Sequence, residues 1–158
     1  MSHLPALGPR GEGWVAIQVV LLVAIAAAGL LGPAWSGAVR VVSSVVGLGL
    51  VIAGLVLAVR GMVDLRDALT PLPYPRDGAE LVETGVYARA RHPIYGGLIV
   101  GAFGWGCLTA SVVALGLAVA LLAFFEAKSR REEVWLVERF AGYPAYRART
   151  RRLIPWIG

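Results

Sequence analysis

LIVGAFGWGCLTASVVALGLAVALLAFF, residues 98–125, decides the topology of this chain, because the run is apolar almost throughout and yet too long for one crossing. A hydrocarbon core of ~30 Å takes about 20 helical residues. Near its middle the run carries a polar break, Thr109-Ala110-Ser111. It therefore predicts a helical hairpin, with one arm over about 93–108 and the other starting near Ser111.

Two further stretches of spanning length lie upstream, at 14–31 and 41–59, the first ended by Gly32-Pro33 and the second closed by Arg60. The first imitates a signal peptide, but it exceeds a typical h-region and more spans follow, so it reads as a retained helix. Charge supports four spans. Fourteen of the fifteen Lys and Arg then share one side with both termini, Arg40 alone lying opposite. Three spans would split the basic connector from the basic tail. The positive-inside tendency makes the crowded side cytoplasmic, in a bacterial cytoplasmic membrane.

Composition agrees with lipid as the solvent. The 158 residues are 58% hydrophobic and only 16% charged, with a mean hydropathy of +0.70. On a soluble domain the net charge of +5 would raise nucleic acid as a partner. Here the basic residues flank apolar spans, and orientation in the membrane is the better reading. The single Cys107 excludes an internal disulfide and a Cys-based zinc site. With only His3 and His92 there is no pair of metal ligands at helical spacing, and no G-x-S-x-G elbow is present.

The expected fold is an all-α polytopic membrane protein with four transmembrane helices, forming one membrane domain over 1–158. Its parts are two N-terminal helices in 1–60, a polar connector in 61–92, a hairpin in 93–140 and a cytoplasmic tail in 141–158. The last helix, from Ser111 to about Phe140, is about 45 Å long at 1.5 Å per residue. Its final turns project from the bilayer. On them Lys128, Glu132 and Trp135 share a face, with Glu133 turned about 100° away.

Three polar clusters on the cytoplasmic side offer chemistry: Glu80 to Tyr95, Lys128 to Glu133, and Tyr143 to Pro155. Taken singly, each has a plain structural reading. The first is an interfacial anchor rich in Arg, His and Tyr. The second is a solvated helix end with i,i+4 pairs, Glu126 with Arg130 and Lys128 with Glu132. The third, with Arg147, Arg149, Arg151 and Arg152, anchors to anionic headgroups. Gly97 and Gly101 form a small-xxx-small pair that lets another helix approach.

Taken in order, the clusters point further. Glu80-Leu81-Val82, then Thr84-Gly85-Val86-Tyr87, then Arg91-His92-Pro93-Ile94-Tyr95-Gly96, then a hairpin, lead to Arg131-Glu132-Glu133 with Leu136, Phe140, Gly142, Tyr143, Tyr146 and Pro155. This series resembles the isoprenylcysteine carboxyl methyltransferase family and its relatives, the phospholipid N-methyltransferases. The resemblance covers about 78–155 and implies an integral membrane enzyme that uses S-adenosylmethionine to methylate a lipophilic acceptor. It carries cofactor contacts to Leu81, Val82, Tyr87, His92, Pro93, Ile94, Tyr95 and Glu132. It also sets Lys128 where the family has a substrate-side arginine, with Arg131 one turn on. A lysine is a point charge where arginine is a planar fork.

A carboxylate acceptor needs no base at neutral pH. An amine or phenol does, and Glu133 or His92 is then the candidate. The acceptors left open are a lipid amine, a hydrophobic carboxylate, a quinol-like phenol and a thiol, each a lipophile entering from the bilayer between helices. Two other readings stand beside this one: an NADPH-dependent reductase of the sterol-reductase type, and a non-enzymatic membrane module.

Overall fold

The computed structural model describes residues 4–31, 35–70, 72–75 and 78–155. The turn formers Gly32-Pro33 and Pro71 lie outside them. Helices α1 (Glu12–Leu31), α2 (Gly37–Leu65), α3 (Pro93–Thr109), α4 (Val112–Arg139) and the short α5 (Tyr143–Arg149) make up the architecture, with two 3-10 turns at Arg66–Ala68 and Gly85–Ala88. Helices α1, α2 and α4 are long and apolar enough to cross a membrane. The 17 residues of α3 stand at the short end of the spanning range. The protein is an all-α polytopic membrane protein, and its outer faces fit that solvent: Val41, Val45, Leu48, Ile52 and Leu55 of α2 are all exposed.

The hairpin forms where the sequence breaks. Ala110 adopts the left-handed conformation at φ 51, ψ 40 and closes α3, its N–H donating to the Gly106 and Cys107 carbonyls. Ser111 then caps α4 by accepting from the Ala114 N–H, and its hydroxyl donates to the Ala28 carbonyl of α1 at 3.0 Å. Arg40, the lone basic residue at this end, donates to the Thr109 carbonyl at 3.2 Å. A cation there meets the negative end of the α3 dipole.

Helix α3 packs against α1, α2 and α4. Its seam with α2 is made of glycine. Gly47, Gly54 and Gly61 recur every seventh residue on α2 and are all buried. A Cβ on Gly54 would sit 2.5 Å from the Gly101 nitrogen, and one on Gly97 would sit 2.6 Å from the Ala58 nitrogen. The two backbones touch directly, which is how helices associate where no hydrophobic force acts between them. On the other side of α3, Ile25, Ile99, Ala102, Ala118, Leu121 and Phe125 form the apolar core, and Leu153 of the tail joins it.

The second helix differs from its expected length. Arg60 does not close it; α2 starts at Gly37 and runs to Leu65. Arginine is a good helix former, and a charge leaving the membrane has no reason to stop a helix. The end comes at Arg66, whose φ of 47 breaks the repeat.

Candidate active site

The added turns of α2 bring Asp64 out to the connector. Its carboxylate accepts from the Val86 N–H at 2.8 Å and so fixes the 3-10 turn that carries Tyr87. Gly85 serves this contact: its φ is +60, and a Cβ on it would lie 2.5 Å from the Asp64 carboxyl carbon. The connector then runs into α3 through His92 and Pro93, the proline occupying the first turn where its missing N–H costs nothing.

The tail folds back over this junction. Arg91 and His92 donate their backbone N–H groups to the Arg151 and Arg152 carbonyls at 2.9 and 2.8 Å, and Arg151 returns one to Arg89 at 2.9 Å. Gly96 permits the approach, since a Cβ there would lie 2.9 Å from the Leu153 carbonyl carbon. Tyr146 of α5 donates its hydroxyl to the Tyr87 carbonyl at 2.7 Å. The buried Arg91 guanidinium binds the Arg147 carbonyl at 3.1 Å and the Thr150 carbonyl as well.

At the centre of this network is Glu133. It accepts from Arg91 at 2.8 Å and lies 3.5 Å from His92 Nε2, 3.4 Å from Arg152 and 3.5 Å from Arg147. Burial by itself raises a carboxyl pKa, but the His92 and Arg91 groups outweigh it and bring Glu133 down to about 2. Three of the four tail arginines are held by acids of the protein. Arg147 and Arg152 pair with Glu133, Arg152 also with Glu126 at 2.8 Å, and Arg149 with Glu83 at 2.5 Å.

Glu132, next along α4, points the other way, into a cavity of about 380 Å³ between the connector, the end of α2, α4 and α5. Its carboxylate accepts from the Tyr95 hydroxyl at 2.9 Å and stands 3.7 Å from His92 Nδ1. Here burial prevails, and the Glu132 pKa is raised against the opposing pull of His92, Tyr95 and Lys128. The His92, Tyr95 and Phe125 rings stack in a column, with centroids 5.4 and 4.5 Å apart. Lys128 is 1% exposed, and its Nζ stands 4.9 Å over the Tyr95 ring. The expected Lys128–Glu132 pair gives way to a hydrogen bond with Gln18 of α1 at 2.5 Å, while Glu126 and Arg130 do pair, at 3.3 Å.

Of the residues expected at the site, Leu81, Val82, Tyr87, His92, Ile94, Tyr95, Lys128 and Glu132 line this one cavity. Three others stand apart from its lining. Pro93 is buried at the start of α3, Arg131 lies over the Trp135 ring at 4.1 Å, and Glu133 belongs to the arginine cluster. Gln18, Met62, Glu80, Arg91, Phe140, Tyr143 and Tyr146 are among the other residues of its wall. Burial, with Glu132 as the next contribution, pushes the Tyr87 hydroxyl far above its ordinary range; burial, with Glu133 next, does the same to Tyr143. Neither is a base. Tyr143 is part of the cavity wall, and its hydroxyl is buried with no hydrogen-bond partner among the described residues.

This geometry sits inside a family pattern. A sequence profile of the phospholipid methyltransferase family matches residues 42–142, from the second helix through the cavity to the start of the tail. The chain belongs to that family. With the isoprenylcysteine carboxyl methyltransferases, the phospholipid methyltransferases form one group of membrane enzymes, and their members typically take the methyl from S-adenosylmethionine. The protein is thus an integral membrane member of that family. It is also similar to the nickel-cobalt-cadmium resistance protein NccN of Alcaligenes xylosoxydans xylosoxydans, 37% identical over 81 residues, which are 51% of this chain and 38% of that protein. The matched part thus spans well under half of that relative.

Proposed function

We propose that the chain transfers a methyl group from S-adenosylmethionine to a lipophilic acceptor, bearing a carboxylate or a lipid amine, at the cytoplasmic face of a bacterial membrane. The observation that carries this reading is the cavity where connector residues meet Glu132 and Lys128 of α4. Its volume of about 380 Å³ lies in the range of pockets for molecules of that size. Its wall suits the cofactor's chemistry: a carboxylate at Glu132 for an ammonium or ribose hydroxyls, the unpartnered Tyr143 hydroxyl, apolar sides at Leu81 and Val82, and the faces of Tyr87 and Tyr95 for adenine or a cation.

Bound there, the cofactor supplies a methyl group activated by its sulfonium. The protein's task is then alignment, since in-line displacement gains most of its rate from holding acceptor and methyl carbon in register. The His92–Tyr95–Phe125 column gives that alignment a rigid wall. Glu133, held near pKa 2 by its partners, is a poor proton acceptor at neutral pH, which leaves His92, on the cavity wall, as the candidate base for an acceptor that must lose a proton. Labelled S-adenosylmethionine should bind the purified protein saturably, with the affinity strongly reduced by Glu132→Ala. Binding that is absent, or indifferent to that substitution, sinks the proposal.

A further inference from the structure

Arg131 stands apart from the cavity wall, and among the described residues no acid pairs with it. Its guanidinium lies over the Trp135 ring, 4.1 Å from the centroid, and its Nε is buried without a hydrogen-bond partner. The other cations nearby on α4 are placed differently: Arg130 pairs with Glu126 at 3.3 Å, and Lys128 is held by Gln18 at 2.5 Å. Glu138, the next acid on that face of the helix, is two turns away, about 10 Å along the axis. A partly buried guanidinium with no counter-charge is costly, and the aromatic ring beside it offsets only part of that cost.

The N-terminal segment brings a second arginine to the same corner. Gly11 packs on Pro73, where a Cβ would lie 2.9 Å from the proline Cγ, and the Tyr74 N–H donates to the Arg10 carbonyl at 3.4 Å. Tyr74 in turn meets Trp135 edge-on, with centroids 5.7 Å apart. The Arg10 side chain is exposed. Glu12, the acid of this corner, is turned back on the segment and accepts from the Arg10 backbone N–H at 3.1 Å. Arg10 and Arg131 thus sit beside one aromatic pair, and no carboxylate binds either guanidinium among the described residues.

Helix lengths place this corner at the edge of the hydrocarbon. From Val112, where α4 begins, to Arg131 the helix rises about 29 Å, close to the ~30 Å of a bilayer core. The α1 helix, Glu12–Leu31, rises by about the same amount to its own start beside Arg10. Both arginines therefore stand at the level of lipid headgroups.

We infer that Arg131 and Arg10 form a binding site for the phosphate of an anionic phospholipid of the adjoining leaflet. The site is separate from the cavity and does not depend on the methyltransferase reading. A guanidinium meets phosphate oxygens as a planar fork, and Trp135 holds that of Arg131 in place. Below this level α1 exposes Ile17, Val20 and Val23, an apolar face for acyl chains. Two arginines without an acid favour a lipid of net negative charge over a zwitterion, whose own cation they repel. The bound lipid ties the N-terminal segment, which precedes the matched residues 42–142, to the end of α4.

Native mass spectrometry of the full chain in detergent, titrated with dioleoylphosphatidylglycerol or dioleoylphosphatidylcholine, tests this. One phosphatidylglycerol should be retained about 10-fold or more tighter than the choline lipid, the scale of a hydrogen bond to a charged group. Arg131→Gln should abolish the preference, and Arg10→Gln should reduce it. Arg131→Lys, which keeps the charge and loses the fork, should keep part of it. Arg130→Gln removes the same charge from an arginine already paired and should leave the preference nearly whole, with helical circular dichroism matched across the variants. Millimolar inorganic phosphate should not displace the lipid. Equal binding of the two lipids overturns the inference. Equal losses in Arg131→Gln and Arg130→Gln reduce it to diffuse net charge, and displacement by inorganic phosphate reduces it to a site for free anions; either result overturns it as well. Should Arg131→Gln not fold, the exposed Arg10 decides, and a preference untouched by Arg10→Gln refutes the site as drawn.

Discussion

The α2–α3 seam and the polar cap over the cavity are held together by opposite means. In the seam, glycine backbones touch and no side chain is asked for a particular chemistry. In the cap, a few charged groups separated widely in sequence meet at specific distances, with Glu133 serving Arg91, Arg147, Arg152 and His92 at once. The seam should therefore be sensitive to volume and the cap to charge. The site lies where the two meet, because α3 begins at the cap with His92 and Pro93 and descends into the seam.

The largest effect expected from breaking this contrast is in the cap. Glu133→Ala leaves the buried Arg91 guanidinium without its counter-charge and should cost about 3–5 kcal/mol, read as lost thermal stability in detergent. Acid should do the same gradually. A carboxyl that titrates near 4.3 when unfolded and is lowered to about 2 when folded contributes stability that is complete above the higher value and is lost as pH falls through the lower. Melts at pH 7 and pH 3 should show this loss, and Glu133→Gln should flatten the acid limb.

Next comes the seam. Gly97→Leu inserts a side chain where even a Cβ lies 2.6 Å from the Ala58 nitrogen. It should cost about 3 kcal/mol from overpacking, whereas Gly116→Leu, at a position with open space around its Cβ, should leave the melting temperature nearly unchanged. Equal effects at the two glycines would remove the argument from volume.

Smaller again, Gly85→Ala should destabilise by about 1–2 kcal/mol through its positive φ and should weaken S-adenosylmethionine binding by displacing the Asp64–Val86 contact beneath Tyr87. The least effect is a gain: Ala110→Gly relieves the left-handed residue at the hairpin and should stabilise by about 0.5–1 kcal/mol, visible as a rise in melting temperature with cofactor binding unaltered.

Much of the framework was readable in advance. The polar break at Thr109-Ala110-Ser111 marked the hairpin to within a residue or two, because capping is a local property of three or four neighbours. The order of motifs from Glu80 to Pro155 pointed to the family that the profile match establishes. Arg60, by contrast, misled as a helix stop, since charge at a membrane boundary signals the end of the lipid and not the end of the helix. Gln18 carries a signal of its own, one amide in an otherwise apolar span.

The amino-acid sequence by itself determined which segments enter lipid, where they turn and on which helix faces the acids and bases lie, because hydropathy, periodicity and caps act over one or two turns. Only the tertiary structure decided the use of each charge: Glu132 in the cavity and Glu133 among the arginines, Lys128 on Gln18 instead of Glu132, and Arg147, Arg149 and Arg152 of the tail on acids. The physical reason is range. A charge chooses its partner from whatever the packing of distant helices brings within about 4 Å, and adjacent residues on one helix, set about 100° apart, face different surroundings.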